Sequence, residues 1–242
     1  MRASGALRLD GAQLEGADYS ERTFNYISVS NGSRLTKCDF RGIRATDGCL
    51  GGGLRPSVYA ECVFDGSALE GHGLDPGRAT FISCSFLDAS LVNLNFMDAE
   101  FVDCVFSGRI ESVTFSADPW SRDAELGREK NRYQGNDFST ALMRNVSFRG
   151  GIDLDMQRFP DTADYFILRD AAAGLDKALR DVERWEDPKD RSMAKARIKA
   201  QKFNVQGGQR DLFIHKSLIT SKLSPEGAEK LMSIFRDLSA AG

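Results

Sequence analysis

Between Ala79 and Phe106 the sequence reads ATFISCSFLDASLVNLNFMDAEFVDCVF, and a large apolar residue returns at every fifth position: Phe81, Phe86, Leu91, Phe96, Phe101 and Phe106. Neither regular element has that period, since a helix repeats its apolar face at three and four residues and a strand at two. A second series runs two positions ahead, through Ala79, Cys84, Ala89, Leu94, Ala99 and Cys104, and all but Leu94 are small. Residues two apart point the same way where the backbone between them is extended. Each five-residue unit therefore reads as a short extended side followed by a corner. Repeated, the units wind the chain into a coil whose apolar pairs face the axis. Stacked coils pair their backbones like strands, about 4.8 Å apart. Each coil then buries its core only against its neighbours, which makes a solenoid.

The same spacing recurs elsewhere. Leu9, Leu14, Tyr19 and Phe24 carry it near the start, Leu35 and Phe40 after a slip, then Tyr59, Phe64 and Leu69, and finally Phe138, Met143 and Phe148. "ADY" at 17–19, "CDF" at 38–40, "CSF" at 84–86, "ASL" at 89–91, "AEF" at 99–101 and "NDF" at 136–138 follow one formula of small, polar, large. In these motifs the sequence resembles the pentapeptide-repeat proteins, over most of residues 7–154. The resemblance implies a right-handed quadrilateral β-helix with four five-residue sides per coil. Residues 20 apart should then stack, as Cys84 with Cys104 and Phe86 with Phe106. Cys84, Phe86, Leu91, Phe96, Phe101, Cys104 and Phe106 are the expected core.

Residues 1–160 are read as this β-helix, interrupted by insertions near 45–57, 70–78 and 116–136. The first two are rich in glycine and the third holds Trp120. From 161 to 242 the period becomes helical. Tyr165, Leu168, Leu175, Leu179, Val182 and Trp185 fit one helix. Asp187 and Pro188 open a second that stops at Gly207–Gly208, and a third carries Leu212, Ile219 and Leu223. Ser224 and Pro225 open the last, with Leu231, Phe235 and Leu238 on one face. In the gyrase-inhibiting relatives a C-terminal helix makes a homodimer, so the C-terminal helices are the expected dimer contact.

Charge follows the same division, with five net negative charges in 1–160 and two net positive in 161–242. The overall balance of −3 gives no reason to expect nucleic acid as a direct ligand. No apolar run is long enough to span a membrane, and the N-terminus lacks a signal peptide's apolar core, so a cytoplasmic protein is expected. Cys38, Cys62, Cys84 and Cys104 fall on the small inward position of a repeat, which makes them packing residues. His72 and His215 have no ligand spacing, CLGGGL lacks the ending of a phosphate loop, and no nucleophile elbow occurs. The expectation is a binding protein with neither cofactor nor metal and no catalytic residues.

Two surfaces are candidates for a partner. Asp88, Asp98, Glu100, Asp103 and Glu111 form an acidic belt between residues 81 and 118, with Arg109 the one base there. A rod carrying outward carboxylates can occupy a cationic channel built for DNA. Together with the resemblance, this implies a DNA mimic that binds DNA gyrase or topoisomerase IV and confers protection or inhibition, as in antibiotic resistance. The alternative is an interaction, immunity or scaffold module that uses its loops, with Trp120, Arg122, Arg128 and Tyr133 as contacts, and its helical region. A basic run (Lys189, Arg191, Lys195, Arg197, Lys199, Lys202) lies on one expected helix and reads as a solvated face.

Overall fold

The computed structural model describes residues 2–122 and 124–240. The strands in chain order are β1 (Arg2–Asp10), β2 (Gln13–Glu15), β3 (Arg22–Ser30), β4 (Arg34–Thr36), β5 (Arg44–Gly52), β6 (Ser57–Ala60), β7 (Ala68–Asp75), β8 (Ala79–Ile82) and β9 (Ser85–Val92). They continue with β10 (Asn95–Phe96), β11 (Glu100–Val102), β12 (Val105–Ser116), β13 (Tyr133–Gln134), β14 (Asn136–Arg149), β15 (Gln157–Arg158), β16 (Tyr165–Leu168) and β17 (Leu212–His215). The helices are α1 (Ala171–Val182), α2 (Pro188–Gln206), α3 (Lys216–Thr220) and α4 (Pro225–Ala240). The chain divides into two compact units, one of residues 1–143 and 155–160, the other of 144–154 and 161–242.

The first unit is a β-solenoid. One sheet runs in the order β1-β3-β5-β7-β9-β12-β14-β15 with β10 beside β12, and a second runs β13-β11-β8-β6-β4-β2. The pairings are parallel, as they must be when each coil repeats the last. Phe81 lies beside Phe101 and Phe86 beside Phe106, the 20-residue step expected from sequence. The seven expected core residues are all buried.

Stacking in register makes ladders. Tyr19, Phe40, Phe64, Phe86, Phe106, Phe138 and Phe159 form one stack of rings, with centroids 4.5 Å apart at Phe106–Phe138 and 5.9 Å apart at Phe138–Phe159. Tyr59, Phe81 and Phe101 form a second, with 4.8 Å at each step. These separations are close to the strand spacing itself. The backbone thus sets the ring contact, and like residues stack because they hold like positions. Each stacked pair adds about 0.5–1.5 kcal/mol beyond its burial.

The glycine-rich stretches at 45–57 and 70–78, expected as insertions, contribute strands β5 and β7 instead. Their glycines serve close approach of neighbouring coils. Gly48 lies beside Ile27 of β3 with φ 115°, and a Cβ there would overlap the Ile27 carbonyl oxygen. What is looped out is short. Leu35 pairs with Tyr59 and Ala45 with Leu69, so this coil is longer than its neighbours by the turn at 53–56.

The second unit packs α1, α2, α3 and α4 with the antiparallel pair β16–β17 around Phe166, Leu175, Ile198, Ile214, Ile219, Leu231 and Phe235. The capping expected from sequence is present. The Asp187 carboxylate accepts from the Asp190 amide at 2.7 Å, and the Ser224 hydroxyl accepts from the Gly227 amide at 3.0 Å. Two expected helical stretches are strands, however. Tyr165–Leu168 and Leu212–His215 are short runs rich in aromatic and branched residues, and they pair with each other over a long sequence separation. His215 closes β17 and caps α3 rather than sitting within a helix. The basic run on α2 is not simply solvated: Lys195 pairs with Glu183, and Lys202 with Asp176 of α1 at 2.6 Å.

Candidate protein-docking site

The longest excursion from the solenoid lies between β12 and β13. Tyr133 takes the place beside Phe101 that Phe101 takes beside Phe81, so the chain resumes its register after residues 117–132. The excursion is fastened to the coil beneath it. Ser121 donates to both carboxylate oxygens of Asp98, through its amide at 2.8 Å and its hydroxyl at 2.6 Å. The Asn131 side chain donates to the carbonyls of Met97 and Ser116, each at 2.8 Å. The Ser116 hydroxyl donates to the Asp118 carbonyl at 2.8 Å.

Glu100 is the centre of the anchorage. Its side chain is 4% exposed although it projects from the outer face of β11. It accepts from the Arg132 amide at 2.9 Å, from the Arg132 guanidinium at 3.1 and 3.3 Å, and from the Thr80 hydroxyl at 3.2 Å. Arg128, itself largely buried, pairs with the same carboxylate at 3.5 Å and donates to the Asp98 carbonyl and to Asn131. Burial pulls the Arg128 guanidinium below its usual range, while the Glu100 charge holds it up. An arginine keeps its charge under such conditions. Tyr133 is also buried, and its one hydroxyl proton is shared between the carbonyls of Ala99 at 2.9 Å and Phe96 at 3.1 Å. Burial raises the phenol well above its ordinary range.

Above these anchors Trp120 is 79% exposed. Arg122 and Lys130 flank Asp118, at 3.1 and 3.4 Å, and both cations are largely exposed. Asp118, Arg122 and Lys130, with Pro119, Ser121, Arg128 and Glu129, line a shallow depression. Of the four expected loop contacts, then, Trp120 and Arg122 face solvent. Arg128 and Tyr133 belong to the support, because one neutralises Glu100 and the other is a core ring.

The corners of the solenoid explain the acidic belt. Backbones with positive φ recur as two columns: Gly16, Lys37, Glu61, Ser83, Asp103 and Gly135 on one, and Glu21, Gly42, Gly66, Asp88 and Gly108 on the other. Each member of the first column from Gly16 to Asp103 is followed five residues later by a member of the second. The first unit is a β-solenoid whose corners recur at five-residue spacing. Asp88 and Asp103, with φ of 51° and 55°, are exposed corner residues of this repeat, a conformation that aspartate tolerates better than most side chains. The other three acids of the belt are engaged. Asp98 holds Ser121, Glu100 is buried with its arginines, and Glu111 pairs with Arg109 at 2.9 Å.

No protein-family model matches this sequence, and no curated protein matches it. Among solved structures, a trypsin-treated variant of QnrB1, a plasmid-mediated fluoroquinolone resistance protein, aligns with a TM-score of 0.41 and 13% identity, over 65% of this chain and 79% of that one. A second trypsin-treated QnrB1 variant gives a TM-score of 0.23 and 15% identity, over 64% of this chain and 78% of that one.

Sequence reasoning missed Asp118 and Lys130 as an ion pair within the loop, and it missed Glu100 as an anchor. The one signal for them was the unlike charges of Asp118, Arg122 and Lys130 within one insertion. Among the described residues no group of three His, Cys, Asp or Glu side chains is placed to hold a metal ion, and no helix is long and apolar enough to cross a membrane.

Proposed function

We propose that the chain is a non-enzymatic protein-binding module that docks a partner protein through the 117–132 loop, with Trp120 as the anchor and Arg122 and Lys130 at its rim. The observation that supports this reading is a tryptophan 79% exposed on a loop otherwise bound down by Asp98, Glu100, Arg128 and Asn131. A loop held in one conformation loses little entropy on binding, and tryptophan is the residue type most enriched among interface hot spots.

A second reading keeps the topoisomerase as the partner. The eight strands from β1 to β15 along the long sheet span about 34 Å at the strand spacing, close to one turn of duplex DNA. Asp88 and Asp103 remain exposed on that body. Under this reading the chain occupies the DNA channel of gyrase or topoisomerase IV and alters its response to a fluoroquinolone.

One assay separates the two. The purified chain is titrated into a gyrase supercoiling reaction, with and without a quinolone, beside W120A and a D88K/D103K double variant. Inhibition or protection that survives W120A and is lost in D88K/D103K supports mimicry. The converse places the loop on the enzyme. No effect from any of the three removes gyrase as the target. A photo-cross-linking residue at position 120, introduced in the producing cells, should then yield one discrete protein adduct that the same residue at Lys189 does not. Equal, diffuse labelling at both positions would sink the loop reading.

A further inference from the structure

One side of the solenoid carries an apolar stripe on its outer surface. Phe64, Phe86 and Phe106 are the buried, stacked rings of that side. The residue before each ring faces out, and Val63, Ser85 and Val105 are neighbours from coil to coil. Leu87, two residues on from Ser85, faces the same way. Three successive coils therefore each present one aliphatic side chain: Val63, Leu87 at 40% exposure and Val105 at 42%. Along the axis the stripe is bounded by two polar pairs, Asp39 with Arg41 beside Val63 and Asp137 with Arg158 beyond Val105. The polar residues within it are satisfied by the chain itself. Asp65 accepts from the Ser85 hydroxyl and from the Leu87 amide at 2.8 Å, and the Ser107 hydroxyl accepts from the Asp88 amide at 2.7 Å. The two margins of this side are positive-φ corners, and they carry acids: Glu61 and Asp103 on one, Asp88 on the other. All three are exposed, and none of these carboxylates is paired with a cation among the described residues.

We propose that this side docks a cationic amphipathic helix of a partner protein, with the helix axis along the solenoid. Coils repeat at about 4.8 Å, and a helix repeats at about 5.4 Å per turn. A helix lying along the stripe therefore sets one apolar side chain per turn, every third or fourth residue, against Val63, Leu87 and Val105 in succession. A strand on the same path repeats its facing side chains at about 6.8 Å and falls out of step within two coils. Lysines or arginines on the two flanks of the helix then face Glu61 and Asp103 at one margin and Asp88 at the other. The site uses no residue of the 117–132 loop. Asp88 and Asp103 also carry the mimicry reading, but a phosphate mimic needs their charge alone, whereas this site needs Leu87 and Val105 as well.

The test uses the full chain and a fluorescein-labelled helical peptide about four turns long, with leucines every third or fourth residue and lysines on both flanks. Its control has the same composition with the leucines spread around the helix. Fluorescence anisotropy at physiological salt should show saturable binding of the first peptide and binding about tenfold weaker, or less, of the control. L87S/V105S gives both positions the serine that this side already carries at Ser85 and Ser107. It should weaken binding about tenfold or more, with the circular dichroism spectrum unchanged. D88N/D103N, in which asparagine tolerates the corner conformation, should also weaken it, and the loss should shrink as salt is raised. W120A should leave it unchanged. Equal binding of the two peptides, or binding indifferent to L87S/V105S, reduces the effect to attraction between opposite net charges and overturns the proposal. So does the absence of binding at the highest soluble concentration. Loss of binding in W120A overturns it too, because the peptide then sits on the loop.

Discussion

Single residues in this solenoid are fixed by their place in a column, and the cysteines show it best. Cys38, Cys62, Cys84 and Cys104 are buried in one file, and each thiol approaches the carbonyl two residues earlier (Thr36, Ala60, Ile82 or Val102) at 3.5 Å. A hydrogen bond to the Cys84 thiol, together with burial, holds Cys62 far above the ordinary thiol range, and Cys84 is raised likewise through Cys104. Thiolates are the reactive form. In the native state a thiol reagent should therefore modify only Cys49, the one partly exposed cysteine, and slowly, since burial raises that thiol too. The other four should react only on unfolding; fast labelling of more than one thiol would contradict the file. The rings obey the same rule. Phe86 stacks on Phe64 and Phe106 at 4.8 and 5.0 Å with no solvent on either side. Phe86→Ala should cost about 3–5 kcal/mol in denaturant unfolding, whereas Leu142→Ala, at a position 67% exposed, should cost little. These columns are legible in the amino-acid sequence where the five-residue period runs unbroken, as for Cys84 with Cys104 and Phe86 with Phe106, and not across the slips that separate Phe40 from Phe64 and Phe106 from Phe138.

Elements are legible where their signals are local, and not where they depend on distant partners. Asp187–Pro188 and Ser224–Pro225 announce helix starts within a few residues, and both do open helices. The β16–β17 pair reads as helix in the sequence because its strands are four residues each and joined only in space, so the apolar spacing alone favours the wrong period. Tyr133 reads as a loop contact because the excursion before it hides the return to register, and Glu100 as a surface acid because its arginines come much later in the chain. That anchorage carries a prediction. Arg128 and Glu100 are both largely buried, and removing one partner of a buried pair leaves the other charge uncompensated, at about 3–5 kcal/mol. Half-exposed Arg132 contributes less. Glu100→Gln should therefore free the 117–132 loop while the aromatic ladder persists. Hydrogen exchange at residues 117–132 should quicken many-fold, with residues 81–86 still protected. Unchanged exchange in the loop would show that Asp98 and Asn131 suffice to hold it.

Across the whole molecule the α-helices, α1 to α4, all lie in the second unit, so the helical circular dichroism signal reports that unit alone. Two of its groups respond to acid in separate windows. His215 is buried beside the Tyr165 ring, and its Nδ1 accepts from the Ser217 amide at 3.2 Å, which requires an unprotonated nitrogen. Burial lowers its pKa, and Arg144 and Lys216 lower it further against the opposing pull of Asp164. A lowered folded-state value means that the unfolded chain takes up the proton first. The stability associated with His215 is complete above its ordinary value near 6.5 and is lost as pH falls below it. Asp211, bound by Arg210, the Asp170 amide and Arg169, is held down to about 2. Its contribution is complete above the usual carboxylate range near 3.9 and fades as pH falls toward that lower value. Thermal unfolding followed by the helical signal should therefore drop once between pH 7 and 5 and again below pH 4. His215→Asn, which can still cap α3, should flatten the first drop and leave the second. If the wild type and this variant fall together between pH 7 and 5, the proton is taken up elsewhere, and His215 is a cap without a titration.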